Sequence, residues 1–340
     1  MCGIVGLHLK NPGLQPRLGE LLSQMLEAMT TRGPDSAGIA FYADRDPAPA
    51  APGQERELRY SLRSDEAIDW DLLAERIAAE TGQGLRVELL GSDSAVFVSL
   101  PAEALPAEAL PAEALTAEAP PAEALPAEAP PAEAPPAEVS FLAAVRRVAP
   151  QVTVPGFGRS MVVVKDVGAP AAICARYGIP GWGGYQGIGH TRMATESAVT
   201  TAHSHPFAPA ADLALVHNGS FSNYATIRGR LARQGIRCDT DNDSEVAARL
   251  VASRMAEGAD LEEGLRTVLK EMDGFFTLLV TTRTQFAVVR DSFACKPAVI
   301  AETPDYVAMA SEYHALAGLP GITGARVFEP MPEEVHVWTR

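Results

Sequence analysis

A five-residue Pro-Ala-Glu repeat covers residues 101–138 and strongly constrains what this chain can fold into. Its regularly spaced prolines prevent a continuous α-helix, because each ring removes a backbone donor and clashes with the preceding turn. Proline, alanine and glutamate without aromatic residues bury too little apolar surface to offset the entropy of ordering. We therefore predict a disordered acidic loop, partly polyproline II, that serves as a spacer. An acidic docking segment for a basic partner is the alternative.

The segments around the repeat form a second block, in which strand-like and helix-like runs alternate. We interpret residues 50–180 as an inserted α/β segment that the repeat interrupts. Its function does not follow from the sequence. The predicted strands are 59–63, 85–90, 95–100 and 159–166, and the predicted helices are 69–81, 140–148 and 170–177.

The outer parts of the chain, 1–49 and 181–340, have the pattern of one layered domain. An apolar strand at 2–9 precedes an amphipathic helix that ends before Arg32, and strands, helices and strands follow again later. This order predicts two sheets covered by helices. Later strands are predicted at 36–42, 213–217, 275–282, 285–290, 297–301 and 305–310, and helices after a Ser222 cap, at 243–257 and at 260–272.

Charge and composition limit the class of protein. The net charge is −15, which argues against nucleic acid or an anionic membrane as the main partner. No basic segment followed by a long apolar stretch opens the chain, so we expect a soluble cytoplasmic protein. The four cysteines lie far apart without a CxxC pair, which disfavours a zinc site or a disulfide scaffold. We expect Cys174, Cys238 and Cys295 to be buried small hydrophobes.

Cys2 directly follows the initiator methionine. A methionine before so small a side chain is normally removed, which would leave a cysteine with a free α-amine. Such an amine has a pKa of about 7.7–8.0, so that one residue would carry both a thiol nucleophile and a base. Alternatively, Cys2 is only a small apolar residue at the start of a buried strand.

Six segments, the first of which contains Cys2, occur in a fixed order: MCGIVG at 1–6, RGPDSAG at 32–38, GHTRMAT at 189–195, HNG at 217–219, NDSE at 242–245, and RDSFACKP at 290–297 with ASE at 310–312. Together they resemble the class II glutamine amidotransferases, whose N-terminal-nucleophile domains release ammonia from glutamine. Their sequences are most similar to those of stand-alone amidotransferase subunits of glutamate-synthase-type complexes, such as that of N-methylglutamate synthase.

This resemblance implies an enzyme of the α+β class with a four-layer αββα Ntn-hydrolase fold. It also implies glutamine as substrate and a partner synthase subunit that uses the released nitrogen. No cofactor follows from this chain, and the resemblance places any flavin or iron–sulfur centre on partner subunits.

The resemblance assigns catalytic roles to three residues. Cys2 would attack the glutamine side-chain carbonyl and form a γ-glutamyl thioester. Asn218 and Gly219 would donate hydrogen bonds to the oxyanion, through a side-chain amide and a backbone N–H. Without the other motifs, the Asn-Gly dipeptide is more typical of a β-hairpin turn.

Four more residues match substrate-binding positions of the family. Arg192 would bind the α-carboxylate of glutamine with a planar pair of donors, and Asp243 would bind its α-ammonium. Thr195 would add a hydrogen bond to the substrate, and Arg32 would order the loop over the nucleophile. The alternatives are a structural ion pair for Arg192 and a helix N-cap for Asp243.

Some positions depart from the family pattern. Met193 stands where several relatives have an aromatic residue, and Glu196 stands where some have histidine. These departures concern the substrate lid and not the nucleophile. His203 and His205 resemble a metal pair or a general base, but without a nearby third ligand we expect structural roles in a loop.

Two other functions stay open on the sequence. A free-standing Ntn amidase would act on a different amide. The other is a catalytically silent glutamine-sensing or scaffold subunit. Retention of Met1 would favour it, because the nitrogen of Cys2 would then be an amide without basicity.

Overall fold

The computed structural model describes residues 2–44, 57–100, 136–193 and 200–340. Within these ranges, antiparallel strands form three sheets. The strands are β1 (Gly3–Leu9), β2 (Ser36–Tyr42), β3 (Arg59–Ser64), β4 (Gly84–Leu89), β5 (Ser94–Leu100), β6 (Val152–Gly158), β7 (Met161–Val167), β8 (Gln186–Arg192), β9 (Phe207–Ala210), β10 (Leu213–Phe221), β11 (Gly274–Thr281), β12 (Gln285–Arg290), β13 (Val299–Glu302), β14 (Tyr306–Ala310), β15 (Arg326–Phe328) and β16 (Val335–Thr339). The helices are α1 (Leu18–Ala28), α2 (Trp70–Thr81), α3 (Ala137–Val148), α4 (Pro170–Arg176), α5 (Tyr224–Arg233), α6 (Asp243–Ala256) and α7 (Leu261–Glu271).

Two sheets pack face to face and form the centre of the molecule. The first has the order β15-β13-β14-β1-β8-β2-β7, and the second has the order β16-β12-β11-β10-β9. The period of two along each strand sends alternate side chains to opposite faces. In β1, Ile4 packs between the sheets with Val216 and Leu279, whereas Val5 and Leu7 face the outer side of the first sheet.

Helices cover both outer faces of this sandwich. Helix α1 turns its apolar stripe, including Leu22 and Met25, onto the first sheet, and α4 packs beside it. Helices α5, α6 and α7 bury residues such as Leu231, Val251 and Leu265 against the second sheet. The result is a helix–sheet–sheet–helix arrangement, which confirms the predicted four-layer αββα fold.

The third sheet, β4-β5-β3-β6, has its own small core under α2 and α3. At its centre the rings of Tyr60 and Phe141 stack with centroids 3.6 Å apart. The division of the chain into an amidotransferase domain and an insertion at 50–180 stays a prediction. The sheets divide the chain earlier than residue 180, because β7 pairs with β2 in the first sheet.

The predictions for the acidic repeat and for the Ser222 cap have different outcomes. The acidic repeat falls mainly outside the described residues, and its last two residues, 137 and 138, begin helix α3. The expected Ser222 cap is wrong: α5 begins at Tyr224 after Asn223, and the Ser222 hydroxyl donates instead to the Asp273 carbonyl.

Among the residues that the structure describes, no helix has the length and apolarity needed to cross a bilayer.

Candidate active site

Cys2 and Arg192 lie at the same edge of the first sheet. Strands β1 and β8 are antiparallel, and Gly3 pairs with Thr191. Cys2 precedes Gly3 and Arg192 follows Thr191, so the register places both residues at one end of neighbouring strands. A Cβ on Gly3 would lie 2.8 Å from the Thr191 hydroxyl and 2.9 Å from Met29 Cβ, which explains why glycine follows the cysteine here.

The backbone around Cys2 is held from two sides. Arg32 Nε donates to the Cys2 carbonyl at 3.1 Å, and Arg32 Nη1 donates to Glu312 Oε1 at 2.6 Å. Two residues further on, the Ile4 amide donates to Ser311 Oγ at 3.0 Å, and the Ser311 amide donates to the Ile4 carbonyl at 2.9 Å. These bonds fix the direction in which Cys2 leaves the sheet.

Asn218 and Gly219 lie inside strand β10, where they pair with Thr277 and Phe276 of β11. This position rules out the hairpin-turn alternative for the Asn-Gly dipeptide. Gly219 has a φ of 152°, and a Cβ there would lie 2.0 Å from the Phe275 carbonyl oxygen, so only glycine fits. The Asn218 side chain is buried, and its Nδ2 has no hydrogen-bond partner among the described residues.

Three buried histidines connect the two sheets beside these residues. The ring centroids of His190 and His205 are 4.1 Å apart, and those of His205 and His217 are 6.2 Å apart. The His217 amide donates to His205 Nδ1 at 3.1 Å. His190 is two residues before Arg192 and His217 is next to Asn218. The ends of β8 and β10 therefore meet at one edge of the sandwich.

All three histidines are neutral near pH 7. Burial lowers the pKa of His190 to about 3, and the neighbouring His217 and Arg192 act in the same direction. Burial lowers the pKa of His217 to about 4 although Asp243 opposes the shift. Burial, reinforced by His190, also holds the pKa of His205 well below its usual value.

This cluster makes the fold sensitive to acid. The pKa values of these histidines are lower in the folded chain than in the unfolded chain, so the unfolded chain takes up protons first as the pH falls below about 6.5. Stability is complete above that pH and is lost progressively toward pH 4. Each histidine contributes at most about 1.4 kcal/mol per pH unit to the free energy of unfolding.

Urea unfolding at pH 7, 6 and 5 measures this loss. We expect a clear fall in the free energy of unfolding in the parent chain and a shallower fall in His205→Gln. Because His314 is exposed, His314→Gln is the matched control and should follow the parent. Equal slopes in all three proteins would show that the cluster does not carry the effect.

Asp243 is the first residue of α6 and is tied to the end of β10. Its Oδ2 accepts from the Phe221 amide at 2.8 Å, and Ser244 Oγ donates to its Oδ1 at 3.1 Å. Ser244 Oγ also lies 2.7 Å from His217 Nδ1. The N-cap is Asn242, whose side chain accepts from the Ser244 amide, so the N-cap alternative for Asp243 is wrong by one residue.

The predicted substrate contact at Thr195 lies outside the described residues. Just before that segment, Met193 is partly exposed. Just after it, His203 Nδ1 lies 2.7 Å from Thr200 Oγ1, and His203 Nε2 lies 2.7 Å from Asp241 Oδ1. His203 thus links two loops, as expected for a structural residue.

Sequence reasoning missed the supporting roles of His217, Ser244 and Ser311. His217 and Ser244 are next to Asn218 and Asp243 in the sequence, and Ser311 lies within the ASE motif at 310–312. This proximity to motif residues is the only signal for them in the sequence. One cysteine prediction is wrong: Cys295 is exposed, whereas Cys174 is buried and Cys238 is partly buried.

Comparisons with known proteins show which family this sequence resembles. A family model described as a glutamine amidotransferase domain matches residues 190–318. The glutamine amidotransferase-like protein GlxB of Rhizobium meliloti (strain 1021) is 44% identical over 338 residues, which are 99% of this chain and 98% of that protein. A putative glutamine amidotransferase of Methanothermobacter thermautotrophicus is 31% identical over 340 residues, with 99% of both chains covered.

Solved structures show the same fold. The structure of the allosteric regulatory enzyme of purine biosynthesis superposes with a TM-score of 0.57 at 16% sequence identity. The match covers 99% of this chain and 47% of that one, so the chain spans about half the length of that enzyme. At this identity the likeness concerns the fold alone.

Proposed function

The chain belongs to the glutamine amidotransferase family, as an enzyme of the class II Ntn type, and from that membership we propose that Cys2 is its nucleophile. The observation that carries the proposal is the position of Asn218. Its buried Nδ2 donor has no partner among the described residues. Asn218 follows His217, and the histidine cluster links His217 to the end of β8, which lies beside Cys2. A buried donor without a partner is costly unless a ligand or an intermediate uses it.

The proposed reaction has two halves. The α-amine of Cys2 takes the thiol proton, and Sγ attacks the side-chain carbonyl carbon of glutamine. Asn218 Nδ2 and the Gly219 N–H donate to the resulting oxyanion. When the intermediate collapses, the C–N bond breaks, the amine returns the proton to the leaving ammonia, and a γ-glutamyl thioester remains. Water then attacks the thioester and releases glutamate and the free thiol.

Recognition of the free amino acid rests on two charged side chains. Arg192 is buried at the end of β8, where a guanidinium suits a carboxylate, and Asp243 stands at the start of α6 near β10. We propose that Arg192 binds the α-carboxylate and Asp243 the α-ammonium, with Thr195 adding a hydrogen bond. Arg32 would hold the Cys2 backbone in place through its bond to the carbonyl.

The released ammonia would pass to an acceptor site on a partner subunit of a glutamate-synthase-like complex. This part of the proposal rests on the amino-acid sequences of the motifs and on membership in the family. We expect weak glutaminase activity from the chain alone and a rise when the partner and acceptor are added. High activity that no partner changes would contradict the coupling.

The role of Asp243 is tested with a substrate that lacks the α-amine. Asp243→Asn should lower kcat/KM for glutamine by about 10- to 150-fold, the equivalent of a hydrogen bond to a charged group. It should change kcat/KM for glutaramate little, because that amide has no ammonium to lose. Both values come from measured ammonia release.

Asp241→Asn is the matched control, since Asp241 is exposed, stands two residues before Asp243 and pairs with His203 of another loop. It should leave both substrates unaffected. An equal loss for glutamine and glutaramate in Asp243→Asn would assign Asp243 a structural role at the β10 end.

A further inference from the structure

A cavity of about 330 Å³ lies between the third sheet and the edge of the central sandwich. Strand β6 and helix α3 form an apolar wall that includes Leu142, Val154 and Phe157. Strands β7 and β9 form the opposite wall, with Lys165 and Phe207. Most of the exposed lining is apolar, and its volume is at the lower end of the range for small-molecule sites. The charged part of the lining has four cations and two carboxylates, namely Arg63, Arg146, Lys165, Arg249, Asp239 and Glu245.

Lys165 is the unusual residue of this cavity. Its side chain is only 6% exposed, and Nζ lies 4.7 Å from the centroid of the Phe207 ring. It forms no hydrogen bond or ion pair within the part of the chain that the structure describes. Burial lowers its pKa to about 7, and Glu245 opposes that shift. Because this pKa is near neutrality, a bound anion would stabilise the protonated amine.

Glu245, the carboxylate that opposes this pKa shift, already has other hydrogen-bond partners. Glu245 accepts from the backbone amides of Asp239 and Thr240 at 2.8 and 2.7 Å and from Arg249 Nε at 2.7 Å. Arg63, which also lines the cavity, pairs its two Nη atoms with three aspartates. Its Nε, however, is buried without a partner among the described residues. Asp239, the other carboxylate of the cavity, is paired with Arg146 and Arg249. Both carboxylates are thus paired, whereas Lys165 Nζ and Arg63 Nε are not, which fits an anion.

We propose that this cavity binds a small amphipathic anion, whose carboxylate or sulfonate pairs with Lys165 and whose apolar body lies against Val154 and Phe157. The site is separate from Cys2 and does not rest on the proposed glutaminase mechanism. It borders Thr240, which precedes α6, and Glu245, which lies in the first turn of α6, the helix that begins at Asp243. An occupant would therefore contact the segment that positions the start of α6.

Calorimetric titration of the full chain with 2-naphthalenesulfonate tests this proposal. We expect one saturable site in the parent chain and weaker binding of the neutral isostere naphthalene-2-sulfonamide. Lys165→Met should weaken sulfonate binding by about tenfold or more, because it removes a charged hydrogen-bond donor. The same substitution should leave sulfonamide binding unchanged, and Lys165→Arg should keep most of the sulfonate affinity.

Two further variants separate this site from other effects. Ala202 is exposed and lines the cavity, so Ala202→Trp should block sulfonate binding without disturbing the core. Lys10→Met removes an equal charge at a distant, partly exposed site and should change nothing. Lys165→Met removes a buried charge without a partner, so its melting temperature should not fall. The proposal is wrong if the parent shows no saturable binding, if both probes bind equally, or if Lys165→Met binds the sulfonate like the parent.

Discussion

Cys2→Ala will reduce ammonia release from glutamine on the order of 10⁴-fold or more, since loss of a covalent nucleophile costs about 10⁶ in kcat in a well-studied hydrolase. The remaining donors at the site would still bind glutamine, so the loss should fall on kcat rather than on KM. Melting temperature should stay close to that of the parent, because Cys2 is only partly buried and precedes β1.

The matched control uses the exposed thiol. Cys295→Ser removes a cysteine that lies on the surface and has no proposed part in the reaction, so it should retain the parent activity. Cys2→Ser adds a second comparison, because a hydroxyl keeps the shape but is a much weaker nucleophile at neutral pH. Full activity in Cys2→Ala would remove the basis of the proposed function.

Asn218→Ala should lower kcat for glutamine about 10²- to 10³-fold, the effect of deleting one oxyanion donor in a comparable site. KM should change little, because the donor acts on charge that develops in the intermediate. The Asn218 Nδ2 has no protein partner among the described residues, so its removal breaks no hydrogen bond that stabilises the fold. We therefore expect an unchanged or slightly higher melting temperature.

Asn218→Asp sharpens this test. It preserves the shape but replaces the donor with a negative charge beside the oxyanion, so its kcat should fall further than that of Asn218→Ala. Asn11→Ala, on the surface next to β1, controls for the loss of an asparagine in general. If Asn218→Ala lowered the melting temperature and raised KM while kcat was kept, Asn218 would be a structural residue.

The family and the layered fold follow from the sequence because short motifs carry specific chemistry. The glycine that follows Cys2 is one example, because Thr191 and Met29 leave no room for a Cβ at Gly3. The Asn-Gly dipeptide is different, since its local meaning is a turn. Only the pairing of β10 with β11 places Asn218 inside a strand, and that pairing joins residues about 60 positions apart, which local patterns do not encode.

Other features depended on contacts that sequence patterns do not contain. The apolar run around Lys165 predicts a strand, but not that β7 joins the first sheet and leaves this lysine buried without a counter-charge. The sequence pattern allows an N-cap at Asp243, one residue after the observed N-cap Asn242. An error of one residue is usual for helix ends. The hydrogen bonds between Ile4 and Ser311 join residues that are far apart in the sequence, so no local sequence pattern predicts them.

The central claim is that the mature chain begins with a cysteine that reacts with glutamine. Intact-mass spectrometry after incubation with 6-diazo-5-oxonorleucine tests it most directly. We predict a chain without Met1 that carries one adduct, located on Cys2 by peptide mapping, with glutaminase activity lost in proportion to labelling. Fully active protein that still carries Met1, or inactivation by an adduct on Cys295 instead, would contradict the claim.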